Sequence, residues 1–128
     1  MHIEIGMQGT AQTNVERCDT ALEVGSGDLL VFATPCLAAL MEGAACEAIS
    51  GGLEENETTV GTMLHLQHTS ATPVGMDVTA TATVTAVEGK KITFHIEAND
   101  ESGPIGSAEH TRFLVNPQRF LDKTYDKL

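Results

Sequence analysis

The chain has 128 residues, enough to bury a core without metals or disulfide staples. Its 18 acidic and 7 basic residues give a formal net charge of −11, which argues against a nucleic-acid backbone or an anionic membrane as partner. One Tyr, four Phe and no Trp leave the core to be built from Val, Leu, Ile, Met and Ala. Cys18, Cys36 and Cys46 form no CxxC pair and are odd in number, as expected of reduced thiols in a cytoplasmic protein rather than a disulfide framework. Met1-His2-Ile3-Glu4-Ile5 lacks the basic stretch and apolar run of a signal peptide, and the longest apolar run, Leu29 to Met41, is too short to span a bilayer.

In chain order, residues 7–17 and 20–24 alternate loosely and suggest a strand with an ill-defined return. Gly25-Ser26-Gly27-Asp28 reads as a loop. Thr34-Pro35 marks a helix start, with Thr as N-cap and Pro in the first turn, and the helix runs to about Ile49 before Ser50-Gly51-Gly52. Glu54 to Glu57 is an acidic surface loop. The period then changes from 3.6 to 2. From Thr58 to Thr72, Val60, Thr62, Leu64, Leu66 and His68 share one face, and Met63, His65, Gln67 and Thr69 the other. Met76, Val78, Ala80, Ala82 and Val84 point inward along the next strand. Glu88-Gly89-Lys90 is a tight turn leading to Ile92, Phe94 and Ile96, and Ile105 to Val115 forms a last long strand. Residues 117–127 read as a short terminal helix or an ordered tail. One buried helix followed by four antiparallel strands is an α+β layout, the hotdog fold, in a single domain over 1–128. No GxGxxG or P-loop pattern is present.

Glu42 stands out because nearly everything else between Pro35 and Ile49 is apolar or small. A helix apolar around its whole circumference is normally buried, and a buried carboxylate without a cation is costly enough that it usually serves chemistry. The alternative is a half-exposed helix on which Glu42, like Glu47, faces water. His68 closes the apolar face that includes Leu64 and Leu66, so it points towards the helix, where it and Glu42 would form a general acid/base pair; a core histidine bonded to backbone is the other reading. Thr34 puts a hydroxyl beside the free N–H groups of a helix N-terminus, suited to an oxyanion, or is a plain cap. Arg112 shares a strand face with Gly106, Ala108, His110 and Leu114, where it could pair with Glu42, meet a ligand anion or form a surface ion pair. No metal is expected: His65 and His68 face opposite ways, and no other cluster has ligand spacing.

Val31-Phe32-Ala33-Thr34-Pro35, Leu40-Met41-Glu42, Thr59-Val60-Gly61-Thr62, His68-Thr69-Ser70-Ala71-Thr72-Pro73 and the run Ile105 to Arg112 together resemble the fluoroacetyl-CoA thioesterase family of hotdog proteins, from about Leu30 to Phe120. The resemblance implies an acyl-CoA thioesterase with catalytic Thr34, Glu42 and His68 and substrate-contacting Gly61 and Arg112. It needs no cofactor, coenzyme A entering as part of the substrate. Where the family carries two lid phenylalanines before the helix, this chain has Gly25 and Asp28, so the resemblance extends to thioester hydrolysis and not to selection of a fluorinated acyl group.

Thr34 and Glu42 lie eight residues apart, a rise of roughly 12 Å at about 1.5 Å per residue. A site assembled from both therefore calls for a homodimer, possibly paired again into a tetramer. The seven cations, Arg17, Lys90, Lys91, Arg112, Arg119, Lys123 and Lys127, are few for a ligand with several phosphates. Either the nucleotide lies mostly in solvent or the thioester is another one. The rival reading is a non-catalytic acyl-CoA binder, which would not need Thr34, Glu42 and His68 together. A hydratase on the same fold is disfavoured by the absence of an Asp or Asn followed shortly by His-Gly.

Overall fold

The computed structural model describes residues 1–128 as a helix wrapped by one antiparallel sheet, the hotdog arrangement. The elements are β1 (Gln8–Asn14), α1 (Ala21–Val24), α2 (Thr34–Ile49), β2 (Thr58–His68), β3 (Asp77–Glu88), β4 (Lys91–Asp100), β5 (Gly103–Val115) and α3 (Pro117–Tyr125). The sheet order is β1-β3-β4-β5-β2, with β1 and β2 at the edges. The four strands expected after the helix all form, and the loosely alternating N-terminal segment supplies the fifth by pairing with β3. Residues 20–24 depart from the extended reading: they make one helical turn, in which Thr20 Oγ1 accepts from the Glu23 N–H and Gly25 closes with φ 85°.

Period-2 alternation sets the core. Val78, Ala80, Ala82 and Val84 of β3 and Ile92, Phe94, Ile96 and Ala98 of β4 are fully or almost fully buried against Leu37, Met41, Ala44, Ala45 and Ile49 of α2. Each large aliphatic or aromatic side chain so buried contributes roughly 1.5–3 kcal/mol, so this seam fixes the helix on the sheet. Alanines on the helix and Gly9 on β1 let the backbones approach closely; a Cβ on Gly9 would run into the Ala48 backbone.

The sheet covers one side of α2 only. Pro35, Ala39, Gly43, Cys46 and Glu47 are exposed, which corrects the expectation of a helix buried on every side. Its small residues are apolar all round, and side-chain size alone does not reveal which flank another surface covers. The assignment of faces along β2 also needs correction. Thr62 is an extra residue between the pairs Gly61↔Arg112 and Met63↔Thr111, a bulge that reverses parity. The helix-facing set is therefore Thr59, Gly61, Leu64, Leu66 and His68, with Val60 turned to the other face.

Candidate active site

Thr34 begins α2 but does not cap it. Ala33 (φ −72°, ψ 139°) is the N-cap, Thr34 holds the first helical position and Pro35 the second. The Thr34 hydroxyl is thereby free of its own helix and lies 2.9 Å from His68 Nδ1. Local pairing holds this contact in place. Phe32 N–H donates to Thr72 O and Ala33 N–H to Asp19 O, both at 2.9 Å, while Thr69 N–H donates to Ile105 O at 2.8 Å. The hydroxyl of buried Thr72 donates to Asp100 Oδ2 at 2.8 Å. The helix start and the end of β2 are thus tied to one framework. The expected set of free N–H groups there shrinks to one: Pro35 has none, and Cys36 N–H donates to Ala33 O, leaving Thr34 N–H without a protein acceptor.

Burial pushes the His68 pKa below its ordinary value, against a weaker opposing pull from the Ser70 backbone. A neutral imidazole accepting the Thr34 O–H at Nδ1 must carry its hydrogen on Nε2. That nitrogen is buried and has no protein partner within the chain. A hollow of about 270 Å³ opens beside the pair, lined among others by Val31, Phe32, Thr34, His68 and Ser70.

Glu42 belongs to a second cluster one helical stretch away. Its side chain is 41% exposed and Oε2 accepts from Arg112 Nη1 at 2.9 Å. Arg112, largely buried, also donates from Nε to Thr59 Oγ1 at 2.9 Å and from Nη2 to Thr59 O at 3.1 Å. Glu42 is therefore neither walled off from water nor unpaired, and within one chain its recorded partners are Arg112 and His110 rather than His68. The expectation of a buried acid aimed at the His68 imidazole in one chain does not hold, because the eight-residue offset along α2 separates them. Gly61 fits this cluster tightly, since a Cβ there would collide with Glu42 Oε2 and lie 3.2 Å from Arg112 Nη1. A second hollow, of about 230 Å³, is lined by Glu42, Gly61, Met63, Leu64 and His110.

His110 is the residue that sequence reasoning passed over. Its Nδ1 lies 2.7 Å from Met63 O, beside the bulge, and its Nε2 3.2 Å from Arg112 Nη1. Burial foremost, and Arg112 as well, hold its pKa below the usual value against the Met63 carbonyl and Glu42. The signal that marks it is its i, i+2 spacing from Arg112, which sets both on one strand face. Glu16 and Cys18, both exposed, and half-buried Asp19 have their ligand atoms within 4.8 Å of one another. Asp19 foremost raises the Cys18 pKa, and burial raises that of Cys36, so neither thiol is poised as a thiolate.

A hydroxyl paired with a neutral imidazole at the start of a sheet-wrapped helix belongs, by its relatives, to the hotdog-fold thioester hydrolases. The chain matches the family described as fluoroacetyl-CoA-specific thioesterase over residues 15–118, and it is a member of that family. It is 38% identical over 97 residues to the fluoroacetyl-CoA thioesterase of Streptantibioticus cattleyicolor, covering 76% of this chain and 70% of that one. A solved structure of a fluoroacetyl-CoA thioesterase superposes with a TM-score of 0.92 at 30% identity, over 100% of this chain and 99% of the other. A variant of that enzyme in complex with acetyl-CoA gives the same TM-score and identity over 98% of each chain. No helix is long and apolar enough to cross a membrane.

Proposed function

We propose that the protein hydrolyses small acyl-CoA thioesters at a site built from two copies of the chain. The observation that carries this reading is the 2.9 Å contact between the Thr34 hydroxyl and His68 Nδ1. His68, neutral and partly buried, is the base that draws a proton from the Thr34 hydroxyl or from a water held by it as the oxygen attacks the thioester carbonyl. The proton then passes to the departing CoA thiolate; where Thr34 is the nucleophile, a water activated by His68 then cleaves the acyl-Thr34 ester, releasing the acid and restoring the hydroxyl. Thr34 N–H is the donor available to the developing oxyanion. That one solved relative binds acetyl-CoA supports the substrate class.

Two observations favour the second copy. His68 Nε2 is buried without a hydrogen-bond partner, and Glu42 has a carboxylate half open to the outside. β2 is an edge strand, and Ala39, one helical turn before Glu42 on α2, is uncovered. β2 pairs antiparallel with its own copy, helix-facing residues kept on one side, in the register that sets Leu64 against Leu66 of the partner subunit. His68 then faces Gly61 of the partner subunit. Because Glu42 overlies Gly61, Glu42 of the partner subunit reaches the unpartnered Nε2–H, orients the imidazole and stabilises its protonated form. Gly61 and Arg112 act through that carboxylate.

The test is steady-state thiol release from acetyl-CoA and fluoroacetyl-CoA. Thr34→Ala, His68→Ala and Glu42→Gln are each expected to cut kcat/KM by roughly two to four orders of magnitude with the circular dichroism unchanged. Tight acyl-CoA binding without turnover, indifferent to all three substitutions, would instead make the protein a binder.

A further inference from the structure

The distribution of cations carries information that their scarcity conceals. Arg17 and Arg112 are in ion pairs, with Glu23 and Glu42. Lys90, Lys91, Arg119, Lys123 and Lys127 have no acidic partner, in a chain with 18 carboxylate side chains to choose from. All five lie at the β3–β4 turn or in the C-terminal segment. Arg119 and Lys123 lie one turn apart on α3, and Asp122 and Asp126, three residues after each, form no ion pair with them, so both cations remain available to an outside anion.

Lys90, Arg119 and Lys123 border one shallow hollow of about 290 Å³ together with Phe113 and Phe120, each 41% exposed. Lys90 and Arg119 also border an adjoining hollow of about 200 Å³, where the nearby Glu57 carboxylate is occupied by the Met1 ammonium at 3.0 Å. Asn116 Oδ1 caps α3 by accepting from Arg119 N–H at 3.1 Å, which fixes the start of the helix against the end of β5. Phe113 follows Arg112 directly on β5, so strand alternation turns it to the face of the sheet away from Glu42 and α2, and the hollow lies where β5 ends, around the sheet from the Glu42–Arg112 cluster.

We infer that this hollow binds an adenine nucleotide carrying separate phosphate groups, the 3′-phosphorylated ADP end of the CoA thioester. Lys90, Arg119 and Lys123 meet the phosphates, and Phe113 and Phe120 receive the adenine ring. The two-chain hydrolase reading supplies the thioester at the other end of the pantetheine arm. It also explains why Arg112 is not needed for phosphate and can stay with Glu42. The few cations are therefore gathered where the nucleotide lies rather than left for a substrate without phosphates.

The test uses the intact protein and adenosine 3′,5′-bisphosphate as probe in isothermal titration calorimetry. The wild type is expected to bind it, more weakly as salt rises. The double substitution Arg119→Glu, Lys123→Glu, at exposed positions, should weaken binding at least about ten-fold, with folding checked by circular dichroism. Arg17→Ala removes a positive charge elsewhere and should leave the affinity unchanged. No binding by the wild type, an unaltered affinity in the double variant, or an equal loss with Arg17→Ala overturns the inference. Kinetics separate it from the hydrolase reading. A raised KM for acetyl-CoA, with that for S-acetylpantetheine unmoved, supports the nucleotide site, whereas turnover with the same acetyl-CoA KM in wild type and double variant overturns it and leaves the hydrolase standing. Nucleotide binding that the double substitution abolishes, in a protein that hydrolyses no thioester, keeps the site and removes the hydrolase.

Discussion

His68 can accept a proton only while it is neutral, and two opposing effects set the pH at which that holds. Burial disfavours the imidazolium and lowers the pKa. A carboxylate at Nε2–H, as the two-chain site requires, favours the imidazolium and raises it. The sign of each is testable on one pair of proteins. With acetyl-CoA, kcat/KM should climb with pH along an acid limb and level off near neutrality. In Glu42→Gln, where burial outweighs the opposing Ser70 backbone, the midpoint of that limb should fall below about 6.5, the ordinary histidine value, and below the wild-type midpoint. Measuring kcat/KM between about pH 5 and 8 for both proteins decides it. Coincident midpoints would mean that no Glu42 carboxylate lies beside the His68 ring. His110 does not confuse the comparison through proton transfer to substrate, because its Nδ1 is held by Met63 O and its Nε2 faces Arg112.

At the level of the elements, β2 is where the site is made and where the sequence is hardest to read. The inward sets of β3 and β4 follow from simple alternation, and Val78, Ala80, Ala82 and Val84 are buried as their spacing requires. The limits of α2 are equally legible in Thr34-Pro35 and Ser50-Gly51-Gly52. The bulge at Thr62 leaves no comparable mark except Gly61, and without it the strand's first half is read with the wrong face inward. For Glu42 the sequence leaves a buried and a half-exposed acid both open and offers Arg112 as one partner among others; the contact that decides lies 70 residues away, and no local pattern selects it. What Gly61 does follows from the contact itself. A methyl in Gly61→Ala would displace the Glu42 carboxylate, the movable end of a half-exposed side chain, from Arg112. The stability cost should therefore be small, about 0.5–1.5 kcal/mol by urea unfolding, while kcat/KM for acetyl-CoA falls at least about ten-fold. A variant with native kcat/KM would detach Gly61 and the carboxylate it seats from the reaction.

The whole molecule presents two sheet edges of different character. β1 carries Gln8, Thr10, Gln12 and Asn14, polar side chains that suit a solvent-facing edge. β2 exposes Met63, so association across β2 would bury apolar surface and extend the ladder at once. In the proposed dimer, two-fold symmetry would give two equivalent sites, each with Thr34 and His68 from one copy and Glu42 from the other. This arrangement has a consequence that a site within one chain cannot share. His68→Ala and Glu42→Gln, each nearly inactive alone, should regain activity when unfolded together and refolded as a mixture. In a mixed dimer one site inherits both lesions and the other neither, so an equal mixture with random pairing should recover about one quarter of the wild-type kcat per chain. If Glu42 served the His68 of its own chain, every site in the mixture would keep one lesion and the rate would stay at the level of the single variants.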